Sequence, residues 1–383
     1  MEDADREIVG AVSGKSMDRM MCEQKSKKEK TMVTVKERIL GSLYGMAAGD
    51  SLGVPSSFMT PDYIEKTWGW IDTFYPAEKG HIYHDGLKAG EYTDDTEQAL
   101  ALMNSFIRNK KVVPLDVVTE ILAWADRVKG KYASPLGPST ERALKAIRAG
   151  GSIEESGRYG NTNGSAMRIS PVGIIHGLRD SSCDELVRDV YQTCMPTHNT
   201  TVCTSAAAAV AWGVALCVRG ENDIETIIRE TMRAADIGSQ YGHPIVSPSI
   251  SKRIGFIYEL VKKAADPRKA MLEIYEYFGG GDLAADSIPV AIGLFALGKG
   301  DPKKVNEYCV NLGGDCDTNA AMAGAMAGAF SGVDAVPKEW KDTIKRVNHV
   351  NFEEYADDLL EMVPEWVVSA ESQIRGYCSL AGQ

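Results

Sequence analysis

From Val33 onward apolar residues recur three and four positions apart, the spacing that lines one face of an α-helix. Ile39, Leu43, Met46 and Ala47 set the first such face. Leu115, Val118, Ile121, Leu122 and Ala125 set a second; Leu144 and Ile147 belong to a third, opened by Pro138-Ser139 with Glu141 in its first turn. The same pattern predicts helices over 182–194, 204–218, 222–235, 250–264, 267–277, 284–297, 302–311, 319–331, 338–347 and 352–373. Strand patterning is nearly missing, Trp70 to Tyr75 being the one short stretch with aromatic and β-branched enrichment. Such a chain buries its apolar faces by packing helix on helix, so the expected fold is all-α, a single bundle of more than ten helices.

Glycine and proline punctuate the connections at Lys79 to Gly90, Lys129 to Pro138, Gly157 to Ser170 and Gly279-Gly280-Gly281. No Pro/Ser-rich linker separates halves, and no period of 20–50 residues signals a solenoid, so residues 31–383 read as one domain. Residues 1–30 are polar and lack the apolar stretch of a signal peptide; they read as a disordered leader or a cloning remnant. The longest apolar run, Ala206 to Val218, falls short of the roughly 18 residues that span a bilayer and is expected as a buried helix, with no membrane partner.

The net charge of −11 argues against nucleic acid as the main partner, because phosphate neutralisation needs a surplus of Lys and Arg. Eight cysteines form no CxxC pair and read as reduced thiols of a cytoplasmic protein. The histidines are scattered, so any metal is expected on oxygen ligands. The segment Asn319 to Phe330 places Gly324 and Gly328 four apart, which lets another helix approach closely and predicts a helix through the middle of the bundle.

Two acidic segments each stand immediately before an apolar helix: Thr93-Asp94-Asp95-Thr96-Glu97 and Gly313-Gly314-Asp315-Cys316-Asp317-Thr318. Taken singly, each is explained by capping, since Asp and Thr favour the positive end of a helix, and Asp94 with Glu97 has the spacing of a capping box. Together they hold more carboxylates and hydroxyls than caps require. If the two helix starts converge, they could hold a pair of hard cations such as Mg²⁺ or Mn²⁺, which orient vicinal hydroxyls and acidify a bound water.

Three further segments are candidates. Gly160-Asn161-Thr162-Asn163-Gly164-Ser165-Ala166-Met167-Arg168 is either a turn or a cradle for an anionic phosphate. Asp50, in Gly49-Asp50-Ser51-Leu52-Gly53, can cap, meet a cation or line a site. His198, in Pro196-Thr197-His198-Asn199-Thr200 ahead of the Ala-rich helix, is either a hydrogen-bonded structural histidine or a ligand contact.

These five segments, in this order, resemble the ADP-ribosylglycohydrolase family from about Val33 to about Trp340. The resemblance implies an orthogonal all-α bundle with a dinuclear Mg²⁺ or Mn²⁺ centre. It implies metal ligands at Thr93, Asp94, Asp95, Asp315, Asp317 and Thr318, catalytic roles among Asp94, Asp95 and Asp315, and substrate contacts at Asp50, Asn163, Gly164, Ser165, Met167 and His198. The implied reaction is hydrolysis of the glycosidic bond at the anomeric carbon of ribose, in ADP-ribosylated protein or a related ribosylated small molecule. The chain departs from the family at Ser57, where many relatives carry an acidic residue before Phe58, and at Cys316, where Thr is common. The departure at Ser57 supports a second expectation, a catalytically inactive ADP-ribose binder or a crystallin-like structural relative.

Overall fold

The structure, a computed structural model, describes residues 33–130 and 136–362. The chain divides into a short unit, Met1–Thr34, and a main body, Val35–Gln383. All but two residues of the short unit, including the whole expected leader, lie outside the described residues.

Among the described residues, the main body has seventeen α-helices and no strand, so the chain is all-α. They are α1 (Val35–Gly53), α2 (Pro61–Trp68), α3 (Asp94–Asn109), α4 (Pro114–Arg127), α5 (Pro138–Arg148), α6 (Ile153–Ser156), α7 (Ser170–Leu178) and α8 (Cys183–His198). After them come α9 (Thr201–Arg219), α10 (Ile224–Gly238), α11 (Ile250–Lys263), α12 (Pro267–Phe278), α13 (Ala284–Leu297), α14 (Pro302–Leu312), α15 (Cys316–Ser331), α16 (Lys338–Asn348) and α17 (Phe352–Glu361). Local chemistry explains many of the starts. Pro114, Pro138, Pro267 and Pro302 occupy first-turn positions where a missing N–H costs nothing. Ser182 opens α8 with a full capping box: its hydroxyl accepts from Glu185 N at 3.3 Å, and the Glu185 carboxylate accepts from Ser182 N at 2.8 Å.

Three expectations are corrected. Trp70 to Tyr75 is not a strand; its backbone polar groups at Ile71 are met by one side chain, Asn311, which accepts from Ile71 N at 2.8 Å and donates to Ile71 O at 2.9 Å. The expected helix 182–194 continues through Pro196 to His198, so His198 ends α8 instead of opening the next helix. The start of α9 is capped by Thr200, whose hydroxyl accepts from Cys203 N at 3.4 Å and donates to Gly160 O at 2.6 Å. The third concerns the apolar run within α9, which proves longer than its sequence core: 19 residues at a mean hydropathy of 1.8, long and apolar enough to cross a membrane. Inside this fold 89% of that window is buried, the situation of a core helix. The helix expected over 352–373 ends at Glu361 with Met362 as its C-cap, and residues 363–373 lie outside the described residues.

The centre of the bundle is a contact of backbone on backbone. Helix α1 is buried from Ile39 to Gly53, and α15 from Cys316 to Ala329, so neither has a solvent face over most of its length. Gly41, Gly45, Gly49 and Gly53 recur every four residues along α1 and face, in antiparallel order, Gly328, Gly324, Ala320 and Asp317 of α15. A methyl placed on any of these α1 glycines would overlap the α15 backbone. Because a Cβ is missing at each crossing, the two helices approach closely enough to pack main chain against main chain. This contact sets Asp50, one residue past Gly49, beside the turn that carries Asp317.

Gly45→Ala should therefore force the two central helices apart and destabilise the protein by about 3 kcal/mol or more. Gly281→Ala, where a Cβ meets nothing within 4 Å, should be close to neutral. Urea unfolding of both variants checks this, and equal midpoints would count against the close contact.

Candidate active site

The two acidic segments meet. Helix α3 begins at Asp94, with Thr93 as its N-cap, and α15 begins at Cys316, with Asp315 in the N-cap position. The Thr318 hydroxyl lies 3.4 Å from Asp95 Oδ2 and 3.1 Å from Asp315 Oδ1, joining residues 223 apart in sequence. The capping box expected from Asp94 and Glu97 does not form, since the cap is Thr93 and the Glu97 carboxylate accepts from Trp124 Nε1 at 2.5 Å.

Asp50 caps α3 from another helix. Its carboxylate accepts from Thr93 N at 3.0 and 3.1 Å, from Thr96 N at 3.1 Å and from the Thr96 hydroxyl at 2.6 Å. It is fully buried behind the start of α3 and does not line the cavity. Thr93 donates its hydroxyl proton to Asp95 Oδ2 at 3.0 Å, while Asp95 Oδ1 is buried without a hydrogen-bond partner. Asp315 Oδ2 accepts from Asn163 Nδ2 at 2.6 Å, which ties the 160–168 loop to α15. Asn163 also donates to the Ser287 hydroxyl at 3.0 Å, and Ser287 donates to Asn319 Oδ1 at 2.7 Å.

Asp317 is held differently, on both oxygens. The Ser57 hydroxyl donates to Oδ1 at 2.7 Å, and His84 Nε2 lies 2.7 Å from Oδ2. Ser57 is delivered by a turn in which Phe58, at a left-handed φ of 62°, donates its N–H to Gly314 O at 2.5 Å, while Gly314 N donates back to Met59 O at 3.0 Å. Cys316 points away from the cavity, its sulfur 3.2 Å from the Ser56 hydroxyl.

Asp94, Asp95, Asp315, Asp317 and Thr318 line a cavity of about 120 Å³ together with Thr162, Asn163, Gly164, Met167, Phe58, Tyr83, His84 and Asp282. That volume is below the roughly 300–1,000 Å³ of sites that engulf drug-sized ligands. Ser165 and His198 are buried behind this wall, and the His198 ring lies directly under Gly164. Arg168 is also fully buried and turned away from the cavity.

Clustering these carboxylates away from water shifts their protonation. Burial, with the Asp317 charge adding to it against hydrogen bonds from Thr96 and Thr93, pushes Asp50 up to about 7. Burial and then the charges of Asp50 and Asp317 push Asp94 up to about 7. Asp95 and Asp315 are raised well above the carboxylate range, again by burial first and neighbouring carboxylates second. For Asp317, burial would raise the pKa too, but the His84 imidazole and the hydrogen bonds from His84 and Ser57 outweigh it and hold the group below the usual range. His84 is raised correspondingly: burial lowers it, and Asp317 more than compensates.

Sequence reasoning passed over His84, Tyr83 and Asp282. The available signal was His81-x-x-His84 inside the loop Lys79 to Gly90: the two rings stack with centroids 5.1 Å apart, and His81 Nε2 reaches Ser57 O at 3.1 Å. The six described cysteines, Cys183, Cys194, Cys203, Cys217, Cys309 and Cys316, are free and buried, in keeping with reduced thiols.

The sequence model of the ADP-ribosylglycohydrolase family matches residues 31–367. The protein YegU of Escherichia coli is 35% identical over 84% of this chain and 96% of its own. Human ADP-ribosylhydrolase ARH3 is 27% identical over 80% of this chain and 88% of its own, and an ADP-ribosylarginine hydrolase of Pseudomonas putida is 24% identical over 86% and 79%. A solved ADP-ribosylglycohydrolase-related protein superposes with a TM-score of 0.64 at 25% identity, covering 86% of this chain and 99% of that one. With a matched stretch that takes in both acidic helix starts and nearly all of the bundle, the chain belongs to the ADP-ribosylglycohydrolase family.

Proposed function

We propose that the protein hydrolyses the glycosidic bond at the anomeric carbon of ribose in an ADP-ribosylated protein, or in a related ribosylated small molecule, using two divalent cations, Mg²⁺ or Mn²⁺. The observation that carries this reading is the meeting of Asp95 and Asp315 on the Thr318 hydroxyl at the base of a cavity, with Asp95 Oδ1 left unpartnered. A buried carboxylate oxygen without a donor is costly unless a cation or a proton meets it.

The donor set fits hard cations. Thr93, Asp94, Asp95, Asp315, Asp317 and Thr318 offer oxygen only, the preference of Mg²⁺ and Mn²⁺. Among the described residues no three acidic, histidine or cysteine side chains form a ready cage, so hydroxyls and water would complete the coordination. When bound, the cations would supply charge neutralisation and Lewis-acid polarisation.

The chain's own groups supply the rest. Asp94 faces the cavity, where its carboxylate can take a proton from the attacking water. With cations bound, Asp95 and Asp315 would be held ionised beside the cavity, where they would favour developing positive charge at the anomeric carbon. Gly164 and Met167 shape the facing wall. Ser57 and His84 keep Asp317 oriented, an uncharged hydroxyl standing where many relatives carry an acid.

Asp315→Asn should lower turnover of ADP-ribosyl-arginine or ADP-ribosyl-serine peptides by roughly 10²-fold or more and weaken Mn²⁺ binding, with helical content unchanged. Full activity after chelation would falsify the metal-dependent mechanism. ADP-ribose and Mn²⁺ binding with no product from any substrate would favour the inactive-binder reading instead.

The same carboxylates make stability depend on pH. Asp50 and Asp94 are raised from 3.8 to about 7 on folding, so the native state binds more protons than the unfolded chain between these values. Their contribution to stability is full below about 4 and is lost as pH rises through about 7. The melting temperature of chelated protein should therefore fall across that window. Mn²⁺ should restore it strongly at pH 7 and weakly at pH 5, and a stabilisation independent of pH would contradict the assignment.

A further inference from the structure

Behind the cavity wall runs a buried hydrogen-bond chain that the proposed reaction does not use. Arg168 is fully buried, and its guanidinium ends on two neutral acceptors: Nη1 donates to Gln98 Oε1 at 2.6 Å, and Nη2 donates to the Thr197 hydroxyl at 2.6 Å. On one arm, Gln98 Nε2 donates to Asp94 Oδ2 at 3.2 Å. On the other, the Thr197 oxygen lies 2.8 Å from His198 Nδ1, and His198 Nε2 lies 3.0 Å from the Thr162 hydroxyl. Thr162 lines the cavity, whereas Arg168, Thr197 and His198 do not.

The direction of this second arm can be worked out from donor counting. A guanidinium has donors and no acceptor, so the Thr197 oxygen must accept from it. If His198 Nδ1 also donated to that oxygen, the Thr197 proton would lose Nδ1 as its acceptor in a fully buried place, at the cost of an unmade hydrogen bond. The cheaper arrangement has Thr197 donating to Nδ1. His198 is then the Nε2–H tautomer and donates to the Thr162 oxygen, which leaves the Thr162 proton free to point into the cavity. Burial first, and the nearby positive charges of Arg168 and Arg142, push His198 well below the ordinary histidine range, in keeping with a neutral ring that has one donor and one acceptor.

We propose that Arg168 sets the direction of the chain Arg168–Thr197–His198–Thr162, so that the Thr162 hydroxyl serves as a fixed hydrogen-bond donor to an acceptor-only anionic oxygen of the substrate. In an ADP-ribosyl group that oxygen belongs to the diphosphate, and this identification rests on the substrate reading given above. Thr162 is the ligand contact. His198, Thr197 and Arg168 are positioning residues that act through it. The arrangement also places a positive charge behind one wall of a cavity otherwise dominated by carboxylates, which helps an anionic group enter.

Two measurements on the full chain test this. In ¹⁵N-histidine-labelled protein, His198 should show a protonated Nε2 and an unprotonated Nδ1 from pH 6 to 8, and Thr197→Val should abolish that fixed tautomer. A protonated Nδ1 in the wild type overturns the proposed direction. In calorimetric titration with ADP-ribose and Mg²⁺, Thr162→Val should weaken binding about tenfold or more, and Thr162→Ser should retain it. Equal binding by wild type and Thr162→Val overturns this inference alone. A wild type that does not bind ADP-ribose overturns the substrate reading and the ligand named here with it, while the His198 tautomer still decides the direction of the chain.

Discussion

The contact between the glycine faces of α1 and α15 is the constraint on which the site is built. Four positions on α1, Gly41, Gly45, Gly49 and Gly53, carry no side chain where the α15 backbone passes. The result is a pair of buried helices packed main chain on main chain, with little tolerance for sliding or rotation. At one end of this contact Gly53 abuts the backbone of Asp317, and Asp50 reaches across to the N-terminus of α3. Three helices therefore converge at a point set by backbone contact, which is stiffer than a contact between flexible side chains.

That stiffness matters because the site gathers like charges. Carboxylates drawn together away from water repel one another and would separate if the scaffold allowed it. The structure answers in several ways at once. Asp50 is met by two N–H groups and a hydroxyl, and Asp317 by Ser57 and His84; Asp315 is met by Asn163 and Thr318. Asp95 is the exception, with one oxygen unmet, and it stands where the two acidic segments meet. Partial satisfaction of a buried polar cluster is expensive, and in this scaffold part of the expense falls on Asp95. The Arg168 chain serves the opposite need. It gives one wall a positive bias and a donor of fixed direction without putting a mobile cation among the carboxylates.

The helices were readable from residue order because an apolar repeat of three and four has one compact solution, and proline and capping residues mark where it starts. The starts at Pro138, Ile250, Pro267, Ala284, Pro302 and Lys338 agree with those expectations to the residue. Misreadings arose at two places, one of them where a distant side chain replaced a local partner. Asn311 satisfies Ile71 in place of a strand neighbour, and α8 runs on through Pro196 to place His198 at its C-terminal end. The candidate cluster was legible for a related reason, since Asp and Thr at two helix starts exceed what capping uses.

Residue order alone thus settled the helical content, the two acidic helix starts and the likeness to a family, because these rest on neighbours a few positions apart. It could not say that Thr318 would join Asp95 to Asp315, that Asp50 would cap a foreign helix, or that His84 would hold Asp317. Nor could it separate Thr162, on the cavity wall, from His198 behind it. Each of those relations spans tens to hundreds of residues and is fixed by how the helices pack, the close approach of α1 to α15 first among them, which no local pattern encodes.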